Sequence, residues 1–262
     1  MFDPGNSSAL QLYTSEFVIW KREHPTVSKI AILYDNVPGV GLLASVNATA
    51  LDKSGFNVVL DEGVSPTNPN LTPYVIQARD KGATGLYLYG VDVVTAGRIA
   101  QAMVQQGWNP TLKADYAIYD SQWHSLAGSG AAGWETNIAS EPFLCDSCLN
   151  STPGGALFLK WFKKLYPNQA LDTFAVLGWT YTELYTDGLI AAGPDLTRTN
   201  LLAAIKNIHS YNSNGLYAQT DPGSKTLGDC EIEMLATTSG FKQAYPSAAN
   251  QFACGLGVLV NI

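Results

Sequence analysis

The chain has 262 residues, 46% of them hydrophobic and only 14% charged, with a formal net charge of −7 and an isoelectric point near 4.9. That length can bury a substantial core in one large domain or two modest ones, and the acidic balance repels phosphate backbones, which excludes a counterion-driven nucleic-acid partner. No run approaches the roughly 20 apolar residues of a membrane helix, and residues 1–10 lack the basic head and apolar run of a signal peptide, so an export signal is expected outside this chain.

Leu10, Tyr13, Phe17 and Trp20 recur at helical spacing, which predicts an opening amphipathic helix ending near His24-Pro25. Residues 29–34 read as a first strand. Residues 41–54 follow as a helix with Leu42, Val46 and Leu51 near one face and Gly55 as its stop, and residues 57–60 as a second strand. Thr72-Pro73 supplies an N-cap and a first-turn proline for a helix reaching Lys81. Residues 85–89 are a third strand, 95–106 a helix closed by Gly107, and 111–114 a fourth strand. Strands alternating with helices at such even spacing imply right-handed crossovers and a doubly wound parallel α/β sheet.

Beyond Gly155 the pattern changes. Residues 157–165, 173–192 and 197–208 are three helices with no strand between them, the last capped by Thr197 or Thr199. Residues 215–262 are rich in turn signals such as Asp221-Pro222-Gly223, between short β-prone runs such as 230–235, which predicts antiparallel hairpins. The boundary between the two halves is expected within residues 140–155.

An open α/β sheet binds its ligands beyond the carboxyl ends of its strands, which selects the loops 35–41, 90–93 and 115–119. The first holds Gly39-Val40-Gly41 without the remaining glycine of a dinucleotide fingerprint or a following Gly-Lys-Ser/Thr, so a tight turn explains it better than a phosphate site. The three histidines stand apart in sequence and no G-x-S-x-G elbow occurs, so no nucleophile and base are visible and no enzyme is expected. Glu231 and Glu233 alternate along one face of a presumed strand and read as a solvated edge. Trp161, Tyr166, Phe174, Trp179, Tyr181 and Tyr185 read as helix packing. Four cysteines allow three disulfide connectivities, of which Cys145–Cys148 with Cys230–Cys254 is favoured; a zinc site would need a second C-x-x-C, and no metal or cofactor is expected.

The segment Lys29-Ile30-Ala31-Ile32-Leu33-Tyr34-Asp35-Asn36, with Gly39 and Gly41 opening a helix, resembles the start of the second lobe in type I periplasmic solute-binding proteins of the branched-chain amino acid ABC transporter family. Gln101 to Gln106 with Gly107-Trp108-Asn109-Pro110, then Ala192-Gly193-Pro194-Asp195-Leu196-Thr197-Arg198, and later Gly215-Leu216 with Asp221-Pro222-Gly223, are similar to family segments in the same order. The Cys230 and Cys254 pair resembles a C-terminal disulfide of many members. The resemblance spans residues 10–256 and implies a doubly wound lobe plus a partial second lobe of helices and hairpins. It assigns 1–25 to a crossing helix of a first lobe that lacks its first part, 26–145 to the ligand-binding lobe with the parallel sheet, 146–215 to helices of the partial first lobe, and 216–262 to C-terminal hairpins returning to the second lobe.

Membership implies the solute-binding component of an ABC importer, periplasmic or extracellular and held at the membrane by its partner or a lipid anchor. Such a protein captures branched-chain amino acids or related small polar solutes by cleft closure and presents them to the importer's membrane subunits. The resemblance places Asn36, Pro38, Gly39, Asp92, Asp115 and Tyr116 on the ligand wall. Asp92 or Asp115 would pair with a ligand ammonium or cap the following helix. Pro38 stands where the family commonly has tyrosine, so amides and urea stay in scope beside leucine-type ligands. The alternatives are a ligand-sensing regulator domain of the same fold and a doubly wound hydrolase. An incomplete lobe would also leave apolar surface uncovered, which predicts self-association.

Overall fold

The computed structural model describes residues 7–8 and 11–261. In chain order the elements are β1 (Ser7–Ser8), β2 (Gln11–Tyr13), α1 (Ser15–Glu23), β3 (Lys29–Asp35), α2 (Val40–Lys53), β4 (Asn57–Val64), α3 (Thr72–Asp80), β5 (Gly85–Tyr89), α4 (Val93–Gln105), β6 (Thr111–Ala114), α5 (Trp123–Ala127) and β7 (Trp134–Ile138). They continue through α6 (Asp146–Leu149), α7 (Pro153–Leu165), α8 (Thr173–Ala192), α9 (Arg198–Lys206), β8 (Ile232–Ala236), β9 (Phe241–Tyr245) and β10 (Leu259–Asn261).

Seven strands form the main sheet in the order β4-β3-β5-β6-β7-β8-β9. The first five are mutually parallel, while β8 runs antiparallel to β7 and β9 antiparallel to β8. Strands covered on both faces read as unbroken apolar runs, and Ile30 through Leu33 are accordingly buried throughout. One face packs Ala31, Leu33, Leu86 and Leu88 against Val75 of α3, Ile99 and Met103 of α4 and Trp123 of α5. The other packs Ile30, Ile32 and Tyr87 against Phe17 and Trp20 of α1 and Val46 and Leu51 of α2. A third cluster joins Ile138, Ile232 and Met234 to Phe158 and Leu159 of α7 and Val176 of α8. A separate antiparallel sheet, β1-β2-β10, adds Leu12 and Val260 to the α1 and α2 side.

Local chemistry accounts for most element ends. Asp92 caps α4 by accepting from the Val94 and Thr95 N–H groups, Asp172 caps α8 through Ala175, and of the two candidate threonines Thr197 caps α9 through Asn200. Gly39 stands before α2 at φ +90°, a conformation glycine adopts without penalty.

Several expectations are corrected. The chain does not open with a helix through Tyr13: Gln11–Tyr13 is a strand paired with β10, and the helix starts at Ser15, while Leu10 lies outside the described residues. Thr72 is the first residue of α3 and Leu71 occupies the cap. β4 extends to Val64, so Asp61 and Glu62 lie inside a strand. β7 is an additional parallel strand; its alternation of Trp134, Thr136 and Ile138 with Glu135 and Asn137 is legible as a strand only once α5 is placed before it. Leu42 faces solvent, because α2 meets the sheet through Val46, Ala50 and Leu51. Trp161, Tyr166, Phe174, Tyr181 and Tyr185 are exposed as well, Phe174 at 68%, since α7 and α8 bury only one side each; Trp179 packs against Phe158. Both cysteine pairs, Cys145–Cys148 and Cys230–Cys254, are disulfides.

Candidate functional site

The carboxyl ends of β3, β5 and β6 lie side by side because these strands are adjacent and parallel. Two carboxylates tie their loops together. Asp35 Oδ2 accepts from the Asp92 N–H at 3.1 Å, and Asp115 Oδ2 accepts from the Gly90 N–H at 2.7 Å, with Asp115 Oδ1 accepting from the Ala117 N–H at 3.0 Å. Burial pushes the Asp35 and Asp115 carboxyls up to about 6 each, against the pull of the backbone donors. At Asp92 desolvation also pushes upward, but the Thr95 hydroxyl and the Thr95 and Val94 N–H groups outweigh it and hold the carboxyl below the usual range.

The loop residues separate into two groups. Asn36, Pro38, Gly39 and Asp92 are solvent-exposed on the rim and border neither of the two inner cavities described next. Asp115 is buried and borders the second of these cavities, while the half-exposed Tyr116 borders both. The first cavity, about 80 Å³, runs between the end of β7 and α8 and is lined by Tyr116, Asn137, Ile138, Ser140, Thr173, Val176, Tyr181 and Tyr217 among others. It combines apolar walls with a few hydroxyls and an amide, the usual make-up of a small-molecule site. Tyr116 meets Phe174 edge-on with ring centroids 6.4 Å apart, and burial together with Asp115 pushes its hydroxyl up to about 12.

The second cavity, about 40 Å³, lies between β2, α1, β5 and the segment entering β8, and is bordered by Glu16, Tyr87, Tyr89, Asp115, Tyr116, Asn137 and Glu231. Behind it sits an ion pair in the sheet itself: Lys113 Nζ donates to both Glu233 oxygens at 2.7 and 2.9 Å, with both side chains buried. Burial opposes the Lys113 charge, but Glu233, Glu16, Glu135 and Glu231 hold its proton well above the usual lysine range. The solvated-edge reading of Glu231 and Glu233 is therefore wrong. β8 is an interior strand between β7 and β9, and both glutamates are nearly fully buried. Lys113 is the signal that could have found them: a lysine in the middle of a buried parallel strand demands a carboxylate partner.

The histidines lie in three separate places. His24 Nε2 meets Glu135 Oε1 at 2.6 Å and His124 Nε2 meets the Thr237 carbonyl at 2.9 Å. His209 Nδ1 is shared by Asp221 Oδ1 at 2.9 Å and Ser224 Oγ at 3.3 Å. A hydrolytic triad needs the serine and the carboxylate on opposite ring nitrogens, and here both contact the same one, with Ser224 Oγ donating to Asp221 Oδ2 at 2.8 Å. This is a turn bracing itself, in the Asp221-Pro222-Gly223-Ser224 motif, and not a proton relay.

A mostly parallel doubly wound sheet, with a cleft between its strand-end loops and a later helix, defines the class as a ligand-cleft α/β protein. The periplasmic binding protein family model matches residues 2–228, and the chain belongs to that family. Among solved structures it is similar to a branched-chain amino acid ABC transporter protein from Thermus thermophilus with bound valine (14% identity, TM-score 0.75, covering 94% of this chain and 66% of that one). It is also similar to a fatty acid ABC transporter substrate-binding protein from Thermomonospora curvata (15% identity, TM-score 0.74, 95% and 68%). A third is an extracellular ligand-binding receptor from Rhodopseudomonas palustris HaA2 (14% identity, TM-score 0.72, 88% and 66%). The chain spans about two-thirds of the length of these structures, and 64% of one from Rhodospirillum rubrum. No curated protein matches it.

Proposed function

We propose that this chain is the solute-binding component of an ABC importer, working outside the cytoplasmic membrane, and that it captures small solutes in the cleft between the strand-end loops and α8. The observation that carries this reading is the cleft itself: apolar walls from Ile138, Val176 and Leu177, bordered also by Ser140, Thr173, Tyr181 and Tyr217. The valine bound by the Thermus thermophilus relative supports a branched-chain amino acid or a solute of similar size, and the fatty-acid transporter relative supports apolar chains.

In this reading residues 26–145 are the ligand-binding lobe, 1–25 and 146–215 belong to a partial first lobe, and 216–262 return to the second. Tyr116 faces the solute from within the cleft, Asp115 borders the smaller cavity beside it, and the rim residues Asn36, Pro38, Gly39 and Asp92 meet the solute as the cleft closes. The closed form is what the importer's membrane subunits recognise. A thermal-shift panel of leucine, valine, short amides, urea and short-chain fatty acids tests it. A solute at ~100 times its dissociation constant adds about 2.7 kcal/mol of stability, and Tyr116→Ala should abolish the shift. If no solute in the panel moves the melting temperature, the solute-capture reading fails for this chain.

A further inference from the structure

The two disulfides differ in what they hold. Cys230 and Cys254 are 24 residues apart in sequence. Their bridge lies next to the Glu231–Ala253 pair, whose N–H groups donate to each other's carbonyls at 2.9 and 2.8 Å, so it fastens the end of the chain to the lead-in of β8. Cys145 and Cys148 are only three apart, with Cα atoms 5.4 Å from each other. In the loop-closure account a bridge stabilises the fold less when its loop is shorter, so opening this one takes little from the folded state. Contacts on both sides hold the segment without the sulfurs. Phe143 and Leu149 are buried in the cluster that joins α7 and α8. The Cys148 N–H donates to the Cys145 carbonyl at 3.1 Å, and Glu141 accepts from the Ser151 and Thr152 hydroxyls. The two thiols therefore stay within bridging distance after reduction.

Access separates the bridges as well. Cys254 is exposed, but Cys230 is buried and neither borders the cavity beside the other bridge. Cys145 is exposed and Cys148 half-buried, and both border that cavity, which is about 610 Å³ and shares no lining residue with the solute cleft. Tyr119, Leu144, Met234 and Phe241 supply its apolar wall. Exposed bridges are the reducible ones, since exchange requires a thiolate to reach a sulfur. We propose that Cys145–Cys148 is a thiol–disulfide exchange site, reversibly reduced in the folded protein by a dithiol that approaches through this cavity. The incoming thiolate attacks Cys145 Sγ, the S–S bond breaks, and its electron pair leaves on Cys148 Sγ, which takes up the proton the attacking thiol gave up. The second thiol of the dithiol, deprotonated in turn, attacks its own sulfur in the mixed disulfide, and Cys145 Sγ leaves and takes up that proton. Two electrons have passed: the dithiol is oxidised to a disulfide and the cysteine pair is reduced to two thiols. Exchange at this bridge is independent of solute capture.

The test equilibrates the oxidised, folded chain with graded ratios of reduced to oxidised dithiothreitol, traps free thiols with iodoacetamide and maps them by peptide mass spectrometry. Cys145 and Cys148 should be half-reduced at a ratio roughly tenfold or more below the one that half-reduces Cys230 and Cys254. They should also be reduced first when the dithiol is limiting, and the same pair should close again when oxidised dithiothreitol is restored. The far-ultraviolet circular dichroism should be unchanged throughout. The double substitution Cys145→Ser with Cys148→Ser should fold, melt close to the parent and leave the reduction of Cys230–Cys254 as it was. Ser121→Trp adds an indole to the cavity wall and should slow reduction severalfold without moving the half-reduction ratio. Faster reduction by dithiothreitol than by a protein dithiol of matched potential identifies a small molecule as the natural reductant, and the reverse identifies a protein. Equal half-reduction ratios for the two bridges, or reduction of Cys145–Cys148 only as the folded signal is lost, would make both bridges structural and overturn the proposal. A rate indifferent to Ser121→Trp overturns the approach through the cavity. A solute panel without any response would defeat the solute-capture reading and leave this exchange untouched.

Discussion

The residues that organise this molecule are its buried charges. Lys113 and Glu233 face each other inside the sheet, and removing one partner of such a pair strands the other in low dielectric. Lys113→Met is expected to cost about 3–5 kcal/mol in urea unfolding, and the double substitution Lys113→Met with Glu233→Leu to restore most of it. Asp35 and Asp115 make a separate prediction about pH. Burial raises both folded-state values from 3.8 to about 6, so the folded state binds their protons more tightly than the unfolded state does. The stability they contribute is present below pH 3.8 and lost as pH rises through about 6. Between pH 4 and 6.5 the melting temperature should fall, and Asp35→Asn should flatten that slope; a slope unchanged in the variant contradicts the assignment. Of these residues, Asp35, Asp92 and Asp115 were visible in sequence because strand ends mark them. Glu16, Glu231 and Glu233 were not, since burial of a glutamate depends on which strands flank it.

At the level of elements, the parallel strands and their helices were legible because each carries its own signal. Short β-prone runs such as Lys29–Asp35 and Gly85–Tyr89 are followed by Asn36 and Gly90, and the helices between strands are opened by caps such as Asp92. β7 was not, because its alternation is short and follows two brief helical turns within 15 residues. Close approaches between elements carry their own test. Gly154, in the first turn of α7, lies against the Ser213 carbonyl, and an added Cβ would be driven into that oxygen. Gly154→Ala should therefore cost roughly 1–3 kcal/mol, read from denaturant midpoints, and a neutral result would mean that α7 shifts freely on its neighbour.

Over the whole molecule, the apolar side chains are unevenly covered. Trp161, Leu165, Phe174, Tyr181, Tyr185 and Ile190 of α7 and α8 are all exposed, Ile190 at 73%, and large apolar side chains left open to water favour association with other surfaces. The isolated chain is expected to bind an environment-sensitive hydrophobic dye and to sediment in a concentration-dependent way. Replacing Phe174, Tyr185 and Ile190 by serine should reduce both effects. The aromatic spacing alone suggested a packed core, yet helical periodicity records only which residues share a face and not whether anything covers it. The sequence by itself determined the α/β class, the alternation of β3 to β6 with their helices and the strand-end loops, because those follow from local periodicity, caps and turn chemistry, while the family was legible only as a resemblance of particular segments. Only the tertiary structure decided that β8 is interior, that Lys113 is neutralised by a strand 120 residues later, and that Glu16 and Glu231 meet at one cavity. Those are long-range juxtapositions, set by which elements pack together, and no local pattern encodes them.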